Sequence, residues 1–192
     1  MTTQLDVVNA ALNELGFPAV TVLNENPASE LLTNKSNLLL PELLLSTDWN
    51  FAIKFVEDNT PLTTLISPDY QYNYQLPADY NRMDRFSWQF NNGAFGFYYR
   101  IIDGVIMTNS RPILYYYVVN DADYSVLTPL FADALALFIA ARSSTALTNK
   151  EALTKYLFEI YRDKLNAAIL QNDMDRYVQS TPFNDFNRQT YI

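Results

Sequence analysis

Three groups of acidic residues in this chain have types and spacings that chemistry could use. Asp121 and Asp123 form a DxD pair, and two carboxylates with further oxygens can hold Mg²⁺ or Ca²⁺. No glycine-containing calcium loop and no third ligand stands beside them, so a solvated loop before a helix is the plainer reading. Glu57-Asp58, and Asp79 with Asp84, could work as a general acid and base, as carboxylate pairs do in glycosidases. Such chemistry requires a fixed separation across a cleft, and turn-forming residues surround all four. The segment Gly93-Ala-Phe-Gly96 has the GxxG spacing of some RNA-binding loops. Such a loop is usually basic and joins two helices, whereas this one lies among Phe90, Phe95, Phe97, Tyr98 and Tyr99 between expected strands, which favours a hairpin loop. No catalytic, cofactor or metal residue is assigned.

Composition removes most of the alternatives. The 192 residues contain no cysteine and no histidine. Thiol catalysis, disulfides, thiolate metal sites, Ser-His-Asp triads and histidine-ligated zinc are therefore excluded. The net charge is −8, which disfavours a free-standing nucleic-acid binder. The acid excess is uneven: residues 1–47 carry −4, residues 48–127 carry −4, and residues 128–192 balance to zero. With 49% hydrophobic and 15% aromatic residues, the chain has the material for a core. The N-terminus lacks a signal-peptide pattern, and the apolar runs Leu38–Leu45 and Ala134–Ala141 fall short of a bilayer span of about 20 residues.

The elements that must position these residues fall into three segments, giving an α+β chain. Residues 1–50 read as two helices. Leu5, Val8, Leu12 and Leu15 recur at helical spacing, and Gly16 and Pro18 supply a stop. A second helix starts near Ser29 and turns Leu31, Leu32, Leu38, Leu39, Leu43 and Leu44 toward a core, with Pro41 kinking or splitting it. Residues 51–127 read as a β insertion, an antiparallel sheet of about four to six strands. Tyr70, Tyr72, Tyr74 and Leu76 alternate with polar residues, as do Phe86, Trp88 and Phe90. Asp103-Gly104 between Ile101-Ile102 and Val105-Ile106 signals a type I′ hairpin. Ile113–Val119 is β-branched and tyrosine-rich, so its face is either core or an inter-subunit surface.

Residues 128–173 return to helix. Thr128-Pro129 reads as an N-cap with proline at the first position, and Thr148 to Glu151 as a capping box opening a last helix. Residues 174–192 read as an extended C-terminal tail carrying Tyr177, Phe183, Phe186 and Tyr191. These rings on a polar segment either fold back or anchor a partner. The leucine stripes of the first two helices need the last two as partners, so the architecture expected is a helical bundle with a projecting sheet.

Four stretches, in order, resemble one family: Ala11-Leu-Asn-Glu-Leu-Gly16-Phe-Pro18-Ala-Val20, Trp49-Asn-Phe-Ala52, Tyr74-Gln-Leu-Pro77-Ala-Asp79-Tyr80-Asn-Arg82, and Pro129-Leu-Phe-Ala-Asp-Ala-Leu-Ala136. The order and spacing are similar to tail tubular protein A, the head-to-tail adaptor of short-tailed bacteriophages, over most of residues 4–175. The resemblance implies a structural virion protein and not an enzyme. It implies a homo-oligomeric ring, a dodecamer, beneath the portal protein in the virion neck, assembled in the host cytoplasm. A tail nozzle protein (tail tubular protein B-like) would follow, and double-stranded DNA would pass through the channel without sequence-specific binding. No membrane and no cofactor is implied. On this reading Tyr177, Phe183, Phe186 and Tyr191 bind the portal, ordering the tail as they do so, and part of the acid excess of residues 1–127 lines the channel. Two other functions fit the composition: a neck or connector protein of a long-tailed phage, or a carboxylate-dependent tail-associated glycosidase. A further alternative is a carbohydrate- or peptide-binding domain using the tyrosine sheet.

Overall fold

A computed structural model describes residues 2–64, 66–86, 99–120 and 122–179. The class is α+β, with four helices and two small antiparallel sheets among the described residues. The chain forms two compact units. One holds the described residues of 1–43, 49–51 and those from 123 onward; the other holds those of 44–48 and 52–122.

The helical unit starts with α1, Gln4–Glu14. Its first turn is closed by a capping box: Thr3 Oγ1 accepts from the Asp6 amide at 3.2 Å, and Asp6 Oδ2 accepts from the Thr3 amide at 2.8 Å. Gly16 ends it as the spacing requires, at φ +80, with its amide donating to the Asn13 carbonyl. Asn9 then fixes the outgoing chain, donating to the Val20 carbonyl and accepting from the Val20 amide.

Helix α2, Pro27–Leu44, starts two residues ahead of the expected Ser29. Asn26 is the cap: its side chain accepts from the Ser29 amide, and Ser29 Oγ accepts from the Asn26 amide. Pro41 neither splits nor ends this helix. A larger difference concerns the leucines. Leu32, Leu39, Leu40, Leu43 and Leu44 are buried, but Leu38 is 67% exposed and Leu31 is half-buried. Successive helical residues lie about 100° apart, so Leu38 cannot share the face of Leu39 and Leu43.

Helix α3, Pro129–Thr148, is the centre of the unit. Thr128 has the extended N-cap backbone and proline follows it, as expected, although the threonine side chain makes no cap hydrogen bond. Every residue from Ala134 to Ala141 is buried. The helix is long and apolar enough to cross a bilayer, with mean hydropathy 1.4 over its best window, more than the run Ala134–Ala141 suggested. Two thirds of that window is covered by the protein itself, which makes α3 a core helix. Asn149 ends it in the left-handed region at φ 55.

Helix α4, Glu151–Gln179, returns along α3. The expected Thr148–Glu151 capping box does not form. Thr148 is the last residue of α3, and its hydroxyl donates back to the Ser144 carbonyl at 2.7 Å. Residues 174–179, expected to open an extended tail, are helical. No helix breaker intervenes before Pro182, so loss of amphipathic period alone did not mark an end.

Among its described residues the second unit has six strands, in two sheets of three rather than one sheet. β1 (Ile53–Asp58), β6 (Ile113–Val119) and β3 (Tyr80–Phe86) pair in the order β1-β6-β3. β2 (Tyr72–Gln75), β5 (Val105–Thr108) and β4 (Tyr99–Ile102) pair in the order β2-β5-β4. Asp103 and Gly104 both take positive φ, 50 and 74, so the β4–β5 hairpin has the expected turn. Central β6 is buried at Tyr115, Tyr117, Val118 and Val119, which makes the tyrosine strand core. In β2 the alternation fails at Asn73, which is fully buried. Its side chain donates to the Thr64 carbonyl and its own carbonyl accepts from the Leu62 amide, so a covering loop replaces solvent there.

Candidate functional site

Of the acids singled out in the sequence, Asp58, Asp79 and Asp123 hold structural hydrogen bonds. Asp79 stands between β2 and β3. Lys54 Nζ donates to its Oδ2 at 2.7 Å, and the Tyr117 hydroxyl donates to its Oδ1 at 2.8 Å. The Asp79 carbonyl also accepts from the Asn120 amide. The Lys54 hydrogen bond, joined by that from Tyr117, holds the carboxyl below its usual range against a smaller opposing effect of burial. A carboxyl so held is a poor general acid. Burial, then the bond to Asp79, raises the Tyr117 hydroxyl, and burial pushes Tyr115 up to about 12. Asp84 lies on β3, two positions from Arg82, which is ion-paired with Asp48. Glu57 and Asp58 are adjacent on β1 and so project to opposite faces, which separates them as a pair. Asp58 accepts instead from the Thr60 amide.

Asp79→Asn is expected to cost less than about 1 kcal/mol at neutral pH, because the ion pair is half exposed and screened. A depressed carboxyl stabilises the fold above the unfolded-state pKa and loses that contribution as pH falls through the folded-state value. The wild-type advantage therefore vanishes below the ordinary value of 3.8. Urea midpoints across pH measure it, and a pH-independent difference would contradict this assignment.

Asp123 caps the short 3₁₀ turn Tyr124–Val126, accepting from the Ser125 amide at 2.9 Å. Its DxD partner Asp121 lies outside the described residues, as do Gly93–Gly96, Phe183, Phe186 and Tyr191. Tyr177 falls within α4. Among the described residues no group of three or more acidic side chains could hold a metal ion.

Three features of the helical unit have no counterpart in the reading of the sequence. Trp49, Phe51 and Phe131 form a ring cluster, with Trp49 and Phe51 both edge-on to Phe131 at 4.8 and 5.0 Å. Beside it Asn50 and Asn172 clasp each other: the Asn50 amide donates to Asn172 Oδ1 at 2.8 Å, and Asn50 Nδ2 to the Asn172 carbonyl at 2.9 Å. This pins the C-terminal part of α4 to the Trp49-Asn-Phe-Ala52 segment. Third, a groove of about 340 Å³ lies between α1 (Ala10, Glu14), α3 (Ala136, Leu137) and α4 (Tyr156, Ile160), rimmed by Lys164 and Asp133 at 3.5 Å. α4 is incompletely covered in the groove and beyond it: Tyr156 in the lining is 57% exposed, and Leu170 and Met174 are 61% and 68% exposed. The signal was present in the spacing, because Tyr156, Ile160, Asp163, Ala167, Leu170 and Met174 follow steps of four and three.

Among the described residues the helical unit offers apolar helix faces and a groove, which suit recognition of another helix. No protein-family model matches the chain. No curated protein matches it either.

Proposed function

We propose that this chain is a structural virion protein, the head-to-tail adaptor that joins portal to nozzle and forms part of the DNA ejection channel. The observation that carries the reading is where the four resembling segments fall. Residues 11–20 make the end of α1, the Gly16 turn and the Asn9–Val20 bracket. Residues 49–52 supply Trp49, Asn50 and Phe51 to the ring cluster and the asparagine clasp. Residues 74–82 run from β2 into β3 and carry the partners of Lys54 and Asp48. Residues 129–136 open α3 with Phe131 in the ring cluster. Each segment fixes a joint between elements, so likeness confined to these segments supports likeness of architecture.

The charge supports the same reading. Glu14, Glu25, Glu30 and Glu42 are all exposed on the first two helices and their loop. An acidic lumen repels phosphates and lets a duplex slide. Of the residues proposed to contact the portal, Tyr177 falls on α4 beyond the Asn172 clasp, and Phe183, Phe186 and Tyr191 come later in the sequence.

Size exclusion with light scattering on a mixture with the cognate portal ring is the test. The expected result is a gain close to a dodecamer of the 22.1 kDa chain. Failure to co-migrate over a range of salt concentrations would reject the adaptor role.

A further inference from the structure

The outer face of α2 and the outer face of α4 are complementary in pattern. On α2 the exposed or half-buried positions Leu31, Asn34, Leu38 and Pro41 advance in steps of three and four. On α4 Ile160, Asp163, Ala167 and Leu170 advance in the same steps and are likewise exposed or half-buried. Both are seams of the period that lets two helices supercoil. They cannot cover each other within one chain, because both are open in it. Leaving them in water is unfavourable for Leu38 and Leu170, each more than half exposed.

We propose that α2 of one copy packs in parallel along α4 of the next copy, as a head-to-tail contact between identical chains. Aligning Leu31 with Ile160 puts Asn34 opposite Asp163, Leu38 opposite Ala167 and Pro41 opposite Leu170. The single polar layer thus meets a polar layer. The flanking positions follow: Glu30 falls beside Lys164, Lys35 beside Glu159 and Asn37 beside Gln171. Glu30, Glu159, Asn37 and Gln171 are exposed, and Lys164 stays 42% exposed beside Asp133. The groove that Tyr156 and Ile160 line with α1 and α3 is continuous with this seam, so it receives the N-terminal end of the incoming helix.

Self-pairing of α4 fits worse. A parallel pair stacks Asp163 on Asp163, and an antiparallel pair brings Glu159 opposite Asp173; both set like charges together. Self-pairing of α2 leaves the α4 seam uncovered. A contact between two different faces repeats from copy to copy, closing into a ring or running on as a filament. Closure into a ring rests on the adaptor reading, while the pairing itself does not.

The absence of cysteine makes the test direct. Leu38→Cys and Ala167→Cys are prepared singly, mixed in equal amounts at high concentration and oxidised. Mixed dimers are expected to exceed either homodimer by at least several-fold, and the double variant is expected to give a ladder of dimers, trimers and larger species. Asn34→Cys with Asp163→Cys, both at exposed positions, repeats the experiment should either first variant fail to match the wild-type melt. Equal or greater yield of an α2–α2 or α4–α4 homodimer overturns the proposal, as does absence of intermolecular disulfide in both pairs. Portal co-migration without cross-linking in the complex would remove this interface and keep the adaptor. Cross-linking without portal binding would keep the interface and remove the adaptor.

Discussion

Trp49→Ala is expected to lower the stability of the helical unit by about 3–5 kcal/mol, the range for deleting a buried large aromatic. Trp49 is only 1% exposed. Its indole N–H donates to the Leu43 carbonyl at 3.2 Å, and its ring stacks with Phe51 at 5.9 Å while meeting Phe131 edge-on. Truncation removes ring contacts, opens a cavity and leaves the carbonyl near the end of α2 without this donor. Against a domain stability of about 5–15 kcal/mol the loss is a large fraction. Trp49→Phe keeps most of the ring area and is expected to cost appreciably less. Adding Phe131→Ala to Trp49→Ala should cost less than the sum of the single changes, since the second truncation removes a contact already lost. Urea denaturation followed by circular dichroism measures the wild type, Trp49→Ala, Trp49→Phe, Phe131→Ala and the double variant. A Trp49→Ala cost below about 1 kcal/mol would show that the cluster does not hold the unit together.

The second large effect is at the centre of α3. Ala140 is fully buried, and its neighbours from Ala134 to Ala141 are buried on every side of the helix. Ala140→Asp puts a carboxylate within the buried apolar run of α3. Burying an isolated charge costs several kcal/mol even after the group shifts its pKa to avoid ionising. The variant is expected to be unfolded at neutral pH by circular dichroism. Leu170→Asp supplies the contrast, because Leu170 is 61% exposed on α4. Its melt should stay close to that of the wild type, within about 0.5 kcal/mol. The same substitution should nevertheless weaken the proposed contact between copies, since it charges the layer opposite Pro41. A folded Ala140→Asp protein would contradict the placement of α3 as core.

Much of the architecture could be read from local chemistry. Gly16 and the Asp103-Gly104 pair demand positive φ, and the chain turns at both. Thr128-Pro129 opens α3 where that dipeptide directs. The acidic candidates could not be judged in the same way. Asp79 is an ion-pair strut because Lys54 on β1 and Tyr117 on β6 reach it, and both are distant in sequence. β1 itself carries too little pattern to stand out. It is a strand because β6 pairs with it along its full length, Ile53 to Val118 through Asp58 to Ile113. The asparagine clasp is equally non-local, joining residues 122 positions apart.

By itself, then, the sequence determined which backbone conformations are cheap at particular positions: the stop at Gly16, the start at Thr128-Pro129, the hairpin turn at Asp103-Gly104, and that no histidine or cysteine chemistry can occur. Only tertiary structure decided which apolar face points inward. Leu38 and Leu39 are chemically identical neighbours, yet one is 67% exposed and the other 3%. Burial is a property of what packs against a face, and α2 and α4 each carry two apolar faces with one covered in this chain. The thirteen basic and twenty-one acidic side chains fix the net charge in the same way, but their partners are fixed by packing. The physical reason is common to both: propensity acts within a few residues, while desolvation and ion pairing are settled by groups that the fold brings together.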